Sequence, residues 1–226
     1  MTAEANSYKL LLPIAMLFTV ILLVSNTVAV KIVSVGPFMF DAATILFPLA
    51  YIFGDILTEV YGYKTSRKII WYAILTQIVM AASYMAVQYM PSAEIWSDQK
   101  AYETILGVTP RIVLASLIAF FAGEFSNAFI MSRMKIASSG RQLWKRTISS
   151  TIIGQAVDTS LFVVIAFWGV FGQSDITTMI VSNYIFKVLF ECIATPCTYL
   201  AVSYLKKAEG VDVYDHDTTY NPFSLS

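Results

Sequence analysis

The stretch ILFPLAYIFGDILTEVYGYKTSRKIIW, residues 45–71, decides how the rest of the chain can be arranged. Its first half is apolar, as in a membrane helix, and Pro48 lies early in it, where we expect a break. Asp55 and Glu59 follow four residues apart, so an α-helix places both carboxylates on one face. After a turn at Gly62 come basic residues, and then apolar sequence resumes. A segment with these charges is predicted to do more than anchor the chain in a membrane.

The overall composition is that of an integral membrane protein. The 226 residues are 57% hydrophobic and 13% charged, and the mean hydropathy is +0.66. Soluble domains are about 45–50% apolar and about 25% charged. The formal net charge is zero and no basic stripe is present, so nucleic acid is not an expected partner. Cys192 and Cys197 both fall in the last apolar segment and are expected to be packing residues.

Six segments are long and apolar enough to cross a bilayer, which needs about 20 residues each. They are residues 10–30, 38–60, 69–90, 110–134, 149–171 and 176–205. The sequence therefore predicts an all-α integral membrane protein, a bundle of six transmembrane helices within residues 1–207. Residues 208–226 are predicted to be a polar cytoplasmic tail that is largely unstructured.

The distribution of lysine and arginine predicts the orientation. Eleven basic residues fall on one side of the predicted membrane: Lys9, Lys64, Arg67, Lys68, Arg133, Lys135, Arg141, Lys145, Arg146, Lys206 and Lys207. Three fall on the other side: Lys31, Lys100 and Arg111. We therefore expect a multi-pass protein with both termini in the cytoplasm.

The sequence also contains a faint internal repeat. The dipeptide Ser-Asn occurs at 25–26 and again at 126–127, and Gly54 and Gly154 are each soon followed by an aspartate. Two three-span halves inserted in opposite senses, as in many transporters, would produce such a spacing. Two inverted three-helix repeats are therefore a hypothesis that these short matches allow.

Ionisable residues inside the apolar segments are the main functional signal, because a charge near the bilayer centre costs at least a few kcal/mol. They are Asp55, Glu59, Glu124, Asp158, Lys187 and Glu191. Glu59 is expected to pair with a base of the following turn, namely Lys64, Arg67 or Lys68. Lys187 is free to form a salt bridge with Asp158 or Glu191 that merely joins two helices. Because five acids face one base, a ligand cavity is the simplest interpretation.

Several motifs that would indicate an enzyme are missing from the sequence. It contains no G-x-x-x-x-G-K-[ST], H-E-x-x-H or G-x-S-x-G pattern, and its one histidine, His216, lies in the tail. We therefore expect no catalytic site, no metal site and no cofactor.

Four stretches carry a family resemblance: FPLAYIFGDILTEVYGYKTSRKII (47–70), GEFSNAFIMSRMK (123–135), STIIGQAVDTSLFVVIAFWG (150–169) and NYIFKVLFECIATP (183–196). Together they resemble the queuosine precursor transporter family, formerly grouped as vitamin uptake transporters. The similarity extends from the first span to Lys207. It implies import of 7-deazaguanine precursors of the tRNA base queuosine across the bacterial inner membrane. The expected substrates are 7-cyano-7-deazaguanine and 7-aminomethyl-7-deazaguanine.

The matching elements, together with helical spacing, give the predicted substrate site. Its residues are Asn26, Glu124, Asn127, Gln155, Asp158, Thr159, Asn183, Lys187 and Glu191. A carboxylate can accept the N1–H and 2-amino groups of a deazaguanine together, and Asp158 or Glu191 is expected in that role. Lys187, Gln155 or an asparagine would donate to the 6-oxo group. Asp55 and Glu59 are predicted to belong to a cytoplasmic gate or a proton path.

The expected partners are a small purine-like molecule and the lipid bilayer, and the sequence leaves a homodimer open. Transport of another purine-like base is one alternative function. A second is the substrate-binding subunit of an ATP-driven vitamin-type uptake system, although the small-residue docking stripe of such subunits is not apparent around Ala15 and Ala29. A third is a structural membrane protein, in which Asp158 and Lys187 would matter only as a pair.

Overall fold

The computed structural model describes residues 8–35, 38–107, 110–169 and 172–224, and most of them are helical. The α-helices of this part of the chain are α1 (Leu11–Val28), α2 (Phe47–Tyr61), α3 (Tyr63–Gln88), α4 (Gln99–Ile105), α5 (Pro110–Ala137), α6 (Leu143–Phe167) and α7 (Gln173–Glu209). A short antiparallel hairpin of β1 (Ile32–Val35) and β2 (Phe38–Asp41) lies between α1 and α2. The predicted helical membrane protein is thus confirmed at the level of its class.

Five of the described helices are long and apolar enough to cross a membrane: α1, α3, α5, α6 and α7. The predicted count of six is not confirmed, because α2 has only 15 residues. At a rise of about 1.5 Å per residue, such a helix is shorter than the roughly 30 Å hydrocarbon core.

The predicted helix 38–60 is wrong in its first half. Residues Phe38–Asp41 are β2, which pairs with β1 from Val35↔Phe38 to Ile32↔Asp41, and a 3-10 helix, Ala42–Ile45, follows. We expected Pro48 to break the helix, but it lies in the first turn of α2. A proline is accommodated there because the first-turn N–H groups have no partner within the helix.

Other helix ends also differ from the predicted spans. α3 begins at Tyr63 rather than 69, α5 continues to Ala137, and α7 runs from Gln173 to Glu209. Gly62 alone separates α2 from α3, with φ of 82°. A side chain is disfavoured at this φ, and a Cβ would lie 2.7 Å from Val213 Cγ1. Glycine therefore permits a one-residue break between two helices.

Helix α2 is the centre of the bundle. It contacts α1, α3, α5 and α7, and every residue from Gly54 to Tyr61 is buried. Its polar residues consequently lie inside the protein rather than in lipid. The most extensive helix contact joins α5 and α6, where Gly123 and Gly154 bring the two backbones together.

The C-terminal segment (residues 211–224) has no helix or strand among its described residues, yet it is packed against the bundle. Asp215 is 4% exposed and accepts hydrogen bonds from Tyr63 N, at 2.9 and 3.1 Å, and Ser132 Oγ, at 2.6 Å. Arg67 Nη1 donates to two backbone oxygens of the segment. The prediction of a largely unstructured tail is therefore wrong, because a carboxylate there satisfies the N-terminus of α3.

Candidate functional site

Four helices direct buried polar side chains toward one another inside the bundle. They are Tyr51, Asp55 and Glu59 of α2, Glu124 and Asn127 of α5, Gln155, Asp158 and Thr159 of α6, and Asn183, Lys187 and Glu191 of α7. None is more than 8% exposed. We leave Glu59 and Asn183 out and call the other residues the central polar cluster: Tyr51, Asp55, Glu124, Asn127, Gln155, Asp158, Thr159, Lys187 and Glu191. Helical spacing explains its composition, because residues three or four apart share a face.

Lys187 is the one base of the central polar cluster, and it pairs with Asp158. Its Nζ lies 3.1 Å from Asp158 Oδ2 and 3.4 Å from Thr159 Oγ1. The same Nζ lies 5.1 Å from the centre of the Phe47 ring. Of the two pairings left open by the sequence, the structure therefore shows Lys187 with Asp158, which joins α6 to α7.

Seven oxygen atoms of the cluster are buried without a hydrogen-bond donor among the described residues. They are Asp55 Oδ2, both carboxylate oxygens of Glu124, Asn127 Oδ1, Gln155 Oε1 and both carboxylate oxygens of Glu191. In the described part of the chain, the Tyr51 hydroxyl is also buried without a hydrogen-bond partner. Most buried polar groups in proteins are hydrogen-bonded, so a concentration of such atoms in one place requires an explanation.

Glycines allow these groups to approach one another closely. A Cβ on Gly54 of α2 would collide with the carboxyl group of Glu124. A Cβ on Gly123 would lie 2.6 Å from Asp158 Cβ and 2.9 Å from the Tyr51 hydroxyl oxygen. The carboxyl group of Glu124 therefore lies against the backbone of α2, and the backbone at Gly123 lies against Tyr51 and Asp158.

Two asparagines connect the cluster to its neighbours. Asn127 Nδ2 donates to Asp55 Oδ1 at 2.8 Å and joins α5 to α2. Asn183, one turn before Lys187, accepts from Thr44 Oγ1 at 3.0 Å and donates to Met179 O at 2.9 Å. Asn183 thus borders the cluster, whereas Asn127 belongs to it.

Asn26 does not join these residues. Its Nδ2 donates to Gln77 Oε1 at 2.5 Å, and its Oδ1 accepts from Ser116 Oγ at 2.9 Å. Both ends of the amide are thus used in contacts of α1 with α3 and α5. Of the predicted substrate residues, Asn26 is the one that the structure separates from the others.

Glu59 lies one turn beyond Asp55, and the predicted partners for it are wrong. Lys64 and Lys68 are exposed, and Arg67 binds the C-terminal segment. Instead the Glu59 carboxylate accepts from Arg146 at 2.8 and 3.2 Å and from Lys206 Nζ at 2.7 Å. These bases come from α6 and α7, whose ends converge on α2.

Two further residues complete what we call the charge cluster: Glu59, Lys135, Arg146, Lys206 and Asp212. Asp212 Oδ1 lies 2.6 Å from Lys135 Nζ and 2.8 Å from Lys206 Nζ. Burial alone would raise the pKa of Asp212, but the hydrogen bonds from Lys135 and Lys206 outweigh it and hold that pKa below its usual value. The C-terminal segment is thereby attached to the end of the bundle that carries Glu59.

Two of the surface grooves in the described part of the chain are well defined, and neither is lined by the central polar cluster. One, of about 570 Å³, lies between the ends of α6 and α7 beside Trp168. The other, of about 220 Å³, lies beside Tyr220 in the C-terminal segment. Within the described residues no group of three or more His, Cys, Asp or Glu side chains could hold a metal ion. The residues of the central polar cluster are all buried, and none of them is more than 8% exposed.

Comparison with known proteins shows the family of the chain. The profile of the family described as "Putative vitamin uptake transporter" matches residues 41–201, well over half of the chain. The chain belongs to this family, the queuosine precursor transporters. The predicted family resemblance is confirmed. Membership in a family of transporters also confirms a multi-pass membrane protein that is not an enzyme.

Three relatives of this transporter carry the same substrate name. The "Probable queuosine precursor transporter" of Bacillus subtilis is 29% identical over 178 residues, which is 78% of each chain. The "Queuosine precursor transporter" of Escherichia coli is 23% identical over 194 residues, 84% of this chain and 85% of the relative. That of Haemophilus influenzae, also named "Probable", is 24% identical over 125 residues, 55% and 51% of the two chains. No solved structure matches the transporter.

Sequence reasoning missed several residues around the site. Tyr51 is one turn before Asp55 on α2, and that spacing could have placed its hydroxyl in the cluster. Lys135 lies three turns after Glu124 on one face of α5, a pattern that also predicts an inward position. Nothing local in the sequence links Arg146 or Lys206 to Glu59, since these contacts join distant segments.

Proposed function

We propose that this transporter imports 7-cyano-7-deazaguanine and 7-aminomethyl-7-deazaguanine into the cytoplasm for queuosine modification of tRNA. The observation that carries the proposal is the set of buried acceptor oxygens inside the bundle for which the described residues provide no hydrogen-bond donor. A 7-deazaguanine supplies donors at N1, at the 2-amino group and at the five-membered-ring nitrogen. Such a ligand would satisfy oxygens that the protein leaves unpaired. The names of the relatives support this substrate class.

Lys187 and Glu191 suit the hydrogen-bonding edge of the ring. They are four residues apart on α7, which separates them by about 6 Å along the helix. Lys187 would donate to the 6-oxo group, and Glu191 would accept the N1–H and 2-amino groups as it would an arginine fork. Asp158 is engaged by Lys187, whereas both oxygens of Glu191 lack donors among the described residues. Of the two predicted carboxylates, we therefore assign this role to Glu191.

The remaining predicted residues complete the site around this pair. Asn127 and Gln155 each present an amide oxygen without a donor among the described residues. Thr159 accepts a hydrogen bond from Lys187 and would help to orient it, and Asn183 lies one turn before Lys187 on α7. The Phe47 ring beside Lys187 offers a face on which the flat ligand could stack, a contact worth about 1–3 kcal/mol in other nucleobase sites. Asn26 is not part of the proposed site.

The proposed topology has six crossings, both termini in the cytoplasm and the bacterial inner membrane as its location. The backbone N–H groups of Lys9 and Leu10 donate to Glu209, at 2.9 and 2.5 Å, so α1 begins where α7 ends. An even number of crossings is needed to bring the ends together. The hairpin and α2 together would supply the sixth. The basic residues gathered at this end support a cytoplasmic assignment.

Glu59 and Asp55 would serve as gate and proton path, respectively. The charge cluster joins α2, α5, α6, α7 and the C-terminal segment through Glu59 and Asp212. Such a cluster would close the cytoplasmic end while the substrate site faces outward. Asp55, one turn deeper, contacts the central polar cluster through Asn127 and would connect the two regions.

Binding to purified protein tests the substrate class. At about a hundred times its dissociation constant, 7-cyano-7-deazaguanine should stabilise the folded protein by about 2.7 kcal/mol, and unrelated vitamins should not. Glu191→Gln keeps the shape of the side chain but places an amide donor against the donors of the ligand. We expect its affinity to fall about 10- to 100-fold. The matched control is Glu94→Gln, since Glu94 is exposed in the loop before α4.

Binding of 7-cyano-7-deazaguanine by Glu191→Gln with unchanged affinity would contradict the assigned orientation. Uptake into proteoliposomes that contain only the purified chain separates the proposal from the ATP-driven alternative. Binding without any uptake would favour a subunit that needs an ATPase partner. Stabilisation by guanine but not by the two precursors would favour another purine-like base.

A further inference from the structure

The central polar cluster contains more negative charge than its one base can balance. Its ionisable carboxyl groups are Asp55, Glu124, Asp158 and Glu191, and its base is Lys187. Lys187 is already paired with Asp158. An ionised carboxylate buried without a partner is very costly in a protein interior. The other acids therefore need cations or protons.

Of the two proposed substrates, the aminomethyl precursor carries a positively charged ammonium group, but the nitrile precursor does not supply this charge. Its ring donors satisfy hydrogen-bond acceptors, but the nitrile precursor is neutral, so it leaves the net charge of the site unchanged. The described residues contain no group of three or more His, Cys, Asp or Glu side chains that could hold a metal ion. A proton needs no such set of ligands, because a single carboxyl group binds it.

Glu124 is the carboxyl group best placed to bind that proton. It lies midway along α5, is 0% exposed, and neither of its oxygens has a hydrogen-bond partner among the described residues. Asp55, in contrast, accepts a hydrogen bond from Asn127. Glu191 faces the proposed substrate edge. The Tyr51 hydroxyl, which also has no hydrogen-bond partner among the described residues, packs against Gly123, the residue before Glu124.

The groups that interact directly with Glu124 come from two helices, α2 and α6. Tyr51 and Asp55 belong to α2, and Asp158 belongs to α6; each is close enough to interact electrostatically with Glu124. From α7, Glu191 interacts with Asp55, and Lys187 is held by Asp158. The buried ionisable residues of α3, Tyr63 and Arg67, are engaged by the C-terminal segment instead.

We propose that Glu124 is the proton-binding residue through which this transporter couples substrate import to inward proton movement. This inference rests on the proposed function and reassigns Glu124, which the sequence places among the substrate ligands. In each cycle one proton from outside binds the Glu124 carboxylate, neutralises it, and leaves to the cytoplasm when the site opens inward. One substrate and one proton cross together, and the carboxylate is regenerated.

Proteoliposomes loaded with sodium-free buffer test the coupling directly. With an inside-alkaline gradient of one pH unit, wild-type protein should accumulate labelled 7-cyano-7-deazaguanine about tenfold at one proton per substrate. A protonophore should reduce the ratio of internal to external substrate to about one. Glu124→Gln, which mimics the protonated side chain, should give a ratio of about one with or without the gradient. It should still exchange internal for external substrate, while Glu94→Gln accumulates like wild type.

Each possible failure has a distinct meaning. If wild type binds and takes up the substrate but ignores the pH gradient, the coupling proposal is overturned even if the variant does not fold. If Glu124→Gln still accumulates substrate, or loses binding altogether, Glu124 is not the coupling residue. If wild type neither binds nor takes up any 7-deazaguanine, the proposed function itself fails.

Discussion

The carboxylate of Glu59 and the guanidinium group of Arg146 face each other through two hydrogen bonds, of 2.8 and 3.2 Å, in a fully buried position. Lys206 adds a third contact to the same carboxylate. Removing one partner of such an arrangement leaves buried charge uncompensated, and that costs more than the pair itself contributes. Glu59 is therefore a point at which α2, α6 and α7 depend on one another.

Glu59→Gln should lower the free energy of unfolding by about 3–5 kcal/mol, because the bases of the charge cluster lose their shared counter-charge. Chemical unfolding in detergent micelles measures the change. Glu94→Gln removes the same charge from an exposed loop position and should stay within about 0.5 kcal/mol of wild type. A similarly small effect of Glu59→Gln would mean that these ion pairs do not hold the cluster together.

Composition and hydropathy were sufficient to predict the helical membrane class and the approximate position of most helices. They failed at residues 38–45, where the chain forms β2 and a short 3-10 helix instead of the predicted membrane-spanning α-helix. An apolar run alone does not distinguish a helix from a strand, and here β1 supplies the pairing partner. The packed C-terminal segment was also missed, since its contacts with α3 and α5 join residues far apart in sequence.

The candidate site was predictable where helical spacing decides it and not where tertiary contacts decide it. Charges in apolar segments pointed to Asp158 and Lys187, and the structure pairs them. Asn26 looked equivalent in sequence, yet contacts with Gln77 and Ser116 use its amide elsewhere. The partners of Glu59 follow from how helix ends converge, which local sequence does not encode.

Gly54→Ala should destabilise the protein by about 1–3 kcal/mol, although alanine is the better helix former. The reason is the added Cβ, which would collide with the carboxyl group of Glu124. A double-mutant cycle provides the control. In a Glu124→Ala background the collision disappears, so the same Gly54→Ala change should cost much less. Equal costs in both backgrounds, measured by unfolding, would show that the two residues do not touch.

Acid should release the C-terminal segment from the charge cluster. The pKa of Asp212 is held below its usual value by Lys135 and Lys206, so its contribution to stability is complete above the unfolded-state pKa of about 3.9. That contribution is lost as the pH falls through the lower folded-state pKa. Asp212→Asn should therefore be less stable than wild type at pH 7 and approach it in strong acid. Because 43% of the Asp212 side chain is exposed, salt should weaken the difference.

The release of the C-terminal segment is measured by the rate at which a protease cleaves it, and the change in stability is measured separately by unfolding. Asp217→Asn is the matched control, because Asp217 is an exposed residue of the same segment outside the charge cluster. It should cleave like wild type at every pH. We expect Asp212→Asn to be cleaved faster than wild type at pH 7, with the two rates converging in acid. If the difference in cleavage rate instead grew as the pH fell, it would contradict the lowered pKa of Asp212 and the ion pairs that cause it.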